Sequence, residues 1–188
     1  VAPIKTGMLH NKEFIEFVVS CLEPYPNIPL IVDPVMVASS GCPLIEEDAI
    51  EAYRNSLFTR ATLITPNLAE AETLLRSTID SFDAMQQAAL QLSLEYECAV
   101  LLKGGHFQSE SEECVDILCE GEMLIPFRHP RLPDADTHGT GCSLAAAITA
   151  GVALGLPGRE SVERAIAYIS TALASRYRFE QPEVIEAL

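Results

Sequence analysis

Three short, mostly apolar runs, each cut off by a polar residue with proline or glycine beside it, constrain this chain more than any other feature. Leu30-Ile31-Val32 ends in Asp33-Pro34. Ala61-Thr62-Leu63-Ile64 ends in Thr65-Pro66-Asn67. Residues 98–102 end in Lys103-Gly104-Gly105. Short apolar runs of this kind suit strands buried on both faces, as in a parallel sheet. The segments between them have a helical period. Residues 11–22 carry Phe14, Ile15, Phe17, Val18, Val19 and Leu22 and stop before Pro24 and Pro26. Residues 46–57 place acidic side chains in a first turn, where they complement the helix dipole. Residues 68–75 and 81–96 read as two further helices, and 2–9 as an extended segment. Strand alternating with helix through short loops predicts an α/β fold: three layers, with a mostly parallel sheet and helices on both faces.

The pattern then changes. Residues 114–119, a turn at Glu120-Gly121 and residues 122–127 predict a β-hairpin. A proline-rich loop at 129–136 leads to Gly139, and helices at 140–154 and 159–178 follow, with a last turn near 182–187. The most apolar stretch, 144–156, is shorter than the roughly 20 residues of a membrane span and reads as a buried helix. The 188 residues carry 12 basic and 27 acidic side chains, a net charge of −15. No basic stripe offers itself to nucleic acid. Mean hydropathy of +0.19 excludes intrinsic disorder. Six scattered cysteines without a C-x-x-C read as reduced thiols in a cytoplasmic protein.

Open parallel sheets bind ligands at the carboxyl ends of their strands, so the residues that end each run are the candidates. Asp136-Thr137-His138-Gly139-Thr140-Gly141-Cys142 stands directly before a long apolar helix. Glycines on either side of Thr140 let backbone N–H groups converge where the helix dipole adds about +0.5 of a charge, an anion hole suited to a transferring phosphoryl group. A glycine-rich turn whose Thr caps a helix has the same sequence, and these residues alone do not separate the two. Cys142 falls in the first turn of that helix, where a thiol can be lowered to about 3.5–7.5 and act as a general base; the other reading is a small helix residue. Asn67 with Glu70 forms a capping-box pattern, and Glu70 also suits Mg²⁺; both can hold at once. Lys103 can meet nucleotide phosphates as a point charge, or be a solvated turn lysine. Asp33 can orient that lysine or a metal-bound water, or simply start a turn before Pro34. His106 and His138 can donate to phosphate. An anion hole, a base, a metal carboxylate and a phosphate lysine are close to a parts list for phosphoryl transfer, without any Walker motif.

Val32-Asp33-Pro34-Val35-Met36-Val37-Ala38-Ser39-Ser40-Gly41, Ile64-Thr65-Pro66-Asn67 with Glu70, Leu102-Lys103-Gly104-Gly105-His106 and the stretch from Asp136 to Cys142 resemble the hydroxymethylpyrimidine/phosphomethylpyrimidine kinases of thiamine biosynthesis, in the ribokinase-like superfamily. Lys5-Thr6-Gly7-Met8-Leu9 also resembles a strand-end motif of that family. The resemblance implies phosphorylation of a hydroxymethyl aminopyrimidine and then of its monophosphate, with ATP and Mg²⁺. It implies Cys142 as base, Gly139, Thr140 and Gly141 as anion hole, Glu70 as the metal-linked acid, and Lys103, Asn67, Thr137 and Asp33 on the nucleotide side. Met8 and Val35 match positions that line the pyrimidine pocket. A pyridoxal or pyridoxine kinase is the near alternative, and a non-catalytic nucleotide- or pyrimidine-binding module the alternative from another class. The expected partner is a small molecule, an aminopyrimidine alcohol or its phosphate, with no nucleic acid and no membrane; a homodimer is the candidate assembly. Family members carry further strands and a glycine-rich substrate-binding segment before the stretch at Lys5. The expectation is therefore one ribokinase-like domain over 1–188, lacking those strands and that segment.

Overall fold

The sheet is built in chain order. The computed structural model describes residues 2–37, 43–105, 113–131 and 139–175. Strand β1 (Ile4–Thr6) is followed by helix α1 (Lys12–Leu22), β2 (Leu30–Val32), α2 (Glu47–Ala52), β3 (Leu63–Ile64), α3 (Leu68–Leu75), α4 (Phe82–Tyr96) and β4 (Ala99–Leu102). Then come β5 (Glu113–Glu120), β6 (Met123–Pro130), α5 (Thr140–Ala153) and α6 (Gly158–Ala174). The spatial order is β1-β2-β3-β4-β5-β6. The first four strands are parallel, with Lys5 opposite Ile31, Ile31 opposite Leu63 and Leu63 opposite Ala99. β5 turns antiparallel to β4 and forms the hairpin with β6.

Period-two alternation divides the apolar runs between two cores. Leu30, Val32, Ile64, Val100, Leu102 and Ile117 pack with α1 to α4. Ile31, Leu63, Leu101 and Leu118 pack with Leu144, Ala145 and Ile148 of α5 and Val162, Ala165 and Ile166 of α6. Strands this short are stable because both faces are buried. The three-layer α/β expectation therefore holds. α5 and α6 meet closely at Gly151, where a Cβ would lie 2.8 Å from Ser161 Oγ.

Two boundaries differ from the sequence reading. The helix expected over 46–57 is α-helical only to Ala52, then widens into a π-turn at Tyr53–Leu57 and tightens into a 3₁₀ turn at Phe58–Arg60. Tyr53, Leu57 and Phe58 are all fully buried; the extra residue in the turn lets all three face the core, which a regular helix would splay apart. The second hairpin strand runs past Phe127 to Pro130, so His129 lies on a strand and not in a loop. Pro126 and Pro130 are tolerated because β6 is the last strand of the sheet and needs no second partner. The expected loop over 38–42, His106, the stretch 132–138 and the end of the last helix beyond 175, with the turn near 182–187, lie outside the described residues.

Gly104 is required by a close approach. A Cβ there would run into the backbone carbonyl oxygen of Val115 and lie 2.8 Å from Met85 Cε. Backbone cannot yield as a flexible side chain can. Gly104→Ala is expected to destabilise by about 3 kcal/mol, the upper end for an overpacked site. A chemical denaturation midpoint close to that of the parent chain would contradict this.

Candidate active site

The site forms at the carboxyl edge of the four parallel strands, where each strand ends on a polar residue. Asp33 follows β2 and is 2% exposed. Its backbone N–H donates to the Thr6 carbonyl at 3.1 Å, which fixes it against the end of β1. Its Oδ1 accepts from Lys103 Nζ at 3.0 Å and from Thr65 Oγ1 at 3.2 Å. Asp33, Thr65 and Lys103 thus come from the ends of β2, β3 and β4 and meet at one oxygen. Lys103 is held from its backbone as well, donating to the Pro66 carbonyl at 2.9 Å.

Glu70 is 3% exposed. The capping box of α3 is complete: Glu70 N–H donates to Asn67 Oδ1 at 2.9 Å, and Asn67 N–H to Glu70 Oε2 at 2.8 Å. Glu70 Oε1 also accepts from Met36 N–H at 3.4 Å. Asn67 therefore spends its side-chain oxygen on the cap. Burial pushes the Glu70 carboxyl up to about 7, against the opposing pull of Lys103. The folded state disfavours ionised Glu70, so stability present below pH 4.5 falls as pH rises to about 7 and then levels. A change from 4.5 to about 7 corresponds to about 3 kcal/mol. Glu70→Gln keeps the acceptor for the cap, so in metal-free buffer it should stabilise the fold by about 2–3 kcal/mol at pH 8 and hardly at all at pH 4.5. Equal melting temperatures for the two chains at pH 8 would contradict that.

Gly139 takes the left-handed conformation at φ 78° and begins α5, a geometry that favours glycine. Two residues on, Gly141 lies against the charged pair: a Cβ there would stand 3.1 Å from Lys103 Nζ and 4.0 Å from Asp33 Oδ2. The glycine turn, Lys103 and Asp33 are therefore one site. Cys142 faces Asp33 from the same turn. Here the structure corrects an expectation. The helix end was expected to lower the thiol, but partial burial and the Asp33 carboxylate push it up, with Lys5 and Lys103 opposing. A nearby carboxylate outweighs the partial charge of a helix end. Cys142 itself remains solvent-exposed.

Met8 is about half exposed beyond the end of β1, and Val35 follows Asp33, its N–H donating to the Asp33 carbonyl at 2.9 Å. Thr137 lies outside the described residues. Three contributors were not singled out from sequence. Lys5 carries no signal of its own within the Lys5–Leu9 motif, yet its Nζ lies so near Gly7 that a Cβ there would be 2.9 Å away. Thr65 was read only as a strand end. Tyr53, wholly buried, donates its hydroxyl proton to the Gly7 carbonyl at 3.3 Å and accepts from Leu9 N–H at 3.2 Å, bracketing Met8. Nothing in a helical pattern marks such a tyrosine.

Among the described residues no group of three or more His, Cys, Asp or Glu side chains converges on a metal position. Mg²⁺ commonly takes one or two carboxylates and fills its shell with water and phosphate oxygens. Asp33 and Glu70, both at this edge, make a donor set of that kind.

A parallel sheet covered on both faces, with a lysine–carboxylate pair and a glycine turn at its strand ends, defines a ribokinase-like α/β protein. The chain belongs to the phosphomethylpyrimidine kinase family, which it matches over residues 1–184. It is 39% identical over 170 residues to the hydroxymethylpyrimidine/phosphomethylpyrimidine kinase of Bacillus subtilis, covering 90% of this chain and 62% of that protein. It is 41% identical over 179 residues to the thiamine biosynthesis bifunctional protein ThiED of Geobacter sulfurreducens, covering 95% of this chain and 35% of that one. Among solved structures, phosphomethylpyrimidine kinase from Clostridium difficile superposes with a TM-score of 0.78 at 33% identity over 91% of this chain and 68% of that one. The ADP complex of Bacillus subtilis pyridoxal kinase superposes at 0.86 and 30% identity over 96% of this chain and 68% of that one. The chain thus spans less than two thirds of the length of these curated relatives. Among the described residues no helix is long and apolar enough to cross a membrane.

Proposed function

We propose that this chain phosphorylates 4-amino-5-hydroxymethyl-2-methylpyrimidine, and then its monophosphate, with ATP. The observation that carries the reading is the convergence of Lys103, Asp33, Gly141 and Cys142 at one strand edge in a chain of this family. The relatives named as hydroxymethylpyrimidine/phosphomethylpyrimidine kinases support the substrate. The solved pyridoxal kinase complexes with an ATP analogue and with ADP support the nucleotide.

In this reading Lys103 contacts the transferring phosphate as a point charge. The turn from Gly139 to Gly141 supplies backbone N–H groups at the start of α5, where charge builds during transfer. Asp33 and Glu70 would hold Mg²⁺, with Asn67 keeping Glu70 in place through the cap. The metal, when bound, neutralises charge on the phosphate oxygens. Met8 and Val35 line the pyrimidine side. Cys142 stands between the substrate hydroxyl and Asp33. Its thiol is protonated at neutral pH, so it works as a relay: the hydroxyl proton passes to Sγ as the thiol proton passes to an Asp33 oxygen. The substrate oxygen is then free to attack phosphorus.

The pyridoxal kinase structures favour pyridoxal as the second reading. Parallel assays of ADP release decide, with the pyrimidine alcohol, its monophosphate and pyridoxal as acceptors and the products identified by mass. Faster turnover of the pyrimidines is expected. A preference for pyridoxal overturns the substrate assignment, and nucleotide binding without turnover on any acceptor overturns the enzymatic reading.

A further inference from the structure

The turn that carries Lys103 out of β4 is gripped by side chains of the β5–β6 hairpin, which the mechanism above does not use. Asp116 on β5 is 4% exposed. Its Oδ1 accepts from Gly104 N–H at 2.9 Å, and its Oδ2 lies 3.2 Å from His129 Nε2 on β6. Arg131, just past β6, donates from Nη1 to the Gly105 carbonyl at 2.7 Å, and Cys114 Sγ lies 3.8 Å from that same oxygen. The Gly104 N–H and the Gly105 carbonyl are thus held from the hairpin side, while the N–H of Lys103 is held from the Pro66 side. The fit is tight because Gly104 already lies against the Val115 carbonyl.

A buried carboxylate next to a phosphate-binding lysine is an unfavourable choice unless it has partners. Here it has a backbone N–H and an imidazole. The hydrogen bond to Asp116 is also the main reason the imidazole is pushed up from its ordinary value. Gly104 N–H is engaged by Asp116, so this amide is not free to bind phosphate. Gly104 serves close packing against the Val115 carbonyl, and the lysine supplies the charge.

We propose that Asp116, braced by His129, is a positioning residue that sets the Lys103–Gly105 turn for nucleotide phosphate. This rests on the reading of the edge as a nucleotide site. The test uses ATP with Mg²⁺ in isothermal titration, melting temperature, and hydrogen exchange at the Gly104 amide, on the parent chain, Asp116→Asn, Asp116→Leu and His129→Ala. Asn keeps an oxygen for Gly104 and an amide for a neutral imidazole. It should stay within about threefold of the parent in affinity. Leu removes the acceptor and should weaken ATP about tenfold or more and raise Gly104 exchange by a similar factor, below the melting transition. His129 is partly exposed, so His129→Ala should fold and show the same two changes in smaller measure, which keeps the test decisive if the Leu variant does not fold. Parent-like affinity or parent-like Gly104 exchange in a folded Leu variant, or in His129→Ala should the Leu variant not fold, overturns the proposal. A merely structural role would lower the melting temperature of Asn and Leu variants without separating them in affinity, and that result also overturns it. If the parent chain itself shows no affinity for ATP, the nucleotide reading fails at its root and the positioning role goes with it.

Discussion

Cys142→Ala is expected to lower kcat on the hydroxymethylpyrimidine by roughly 10²–10⁴-fold, the range for loss of a positioned proton acceptor. ATP affinity should hardly change, because the backbone turn from Gly139 to Gly141 and Lys103 are untouched. The serine variant separates two chemistries. A free thiolate cannot be replaced by a hydroxyl, which does not ionise in this range. A relay to Asp33 can be replaced in part, because a hydroxyl also passes a proton along. Burial and Asp33 hold the thiol protonated, so Cys142→Ser should recover about tenfold of the loss, a fraction of a full general-base contribution. The raised thiol also predicts slow alkylation at neutral pH for an exposed cysteine, since the thiolate is the reactive form. Near-normal turnover by the alanine variant would remove Cys142 from the proton path and leave positioning and the glycine turn to account for the rate.

Lys103→Met is expected to damage both stability and activity, through different consequences of one lost charge. Asp33 is almost wholly buried and, once Lys103 is gone, keeps among the described residues the neutral donors Thr65 and Cys142 but no cation at hydrogen-bond distance. Breaking a buried pair by removing one partner costs about 3–5 kcal/mol, because the remaining charge is uncompensated. The phosphate contact goes as well, and kcat/KM should fall roughly 10²–10³-fold, as when a donor to developing charge is deleted. The double variant Asp33→Asn with Lys103→Met tells the two apart. It removes the orphaned charge, so most of the lost melting temperature should return, whereas activity should stay low. Return of activity along with stability would remove both the Lys103 phosphate contact and the Asp33 proton acceptor from the mechanism.

Much of this site could be read in the sequence, because the parallel sheet does the assembling. Once Leu30–Val32, Leu63–Ile64 and Ala99–Leu102 are recognised as parallel strands, the residues after them must share an edge. Asp33, Thr65 and Lys103 follow from that alone. The capping box at Asn67 and Glu70 is local, set by three-residue spacing, and formed as expected. The hairpin was legible from its turn, but its length was not. Whether a strand can accept Pro126 and Pro130 depends on its being last in the sheet, and no local signal records strand order.

What the sequence determined by itself was the set of elements, their order, and the polar residues that end each strand, because hydrophobic period and turn chemistry act over a few neighbouring residues. What only the tertiary structure decided were the quantities that depend on distant neighbours. Cys142 is pushed up and not down because the fold partly buries it and sets Asp33, more than a hundred positions away, facing it across the edge. Glu70 is raised because the fold buries it under its own cap. Tyr53 brackets Met8 because a π-turn aims its hydroxyl at Gly7 and Leu9. Asp116 holds the Lys103 turn because the hairpin folds back beside β4. Electrostatic and hydrogen-bonding energies fall off over a few ångströms in space, whatever the separation along the chain, so they take their sign only when the chain has folded.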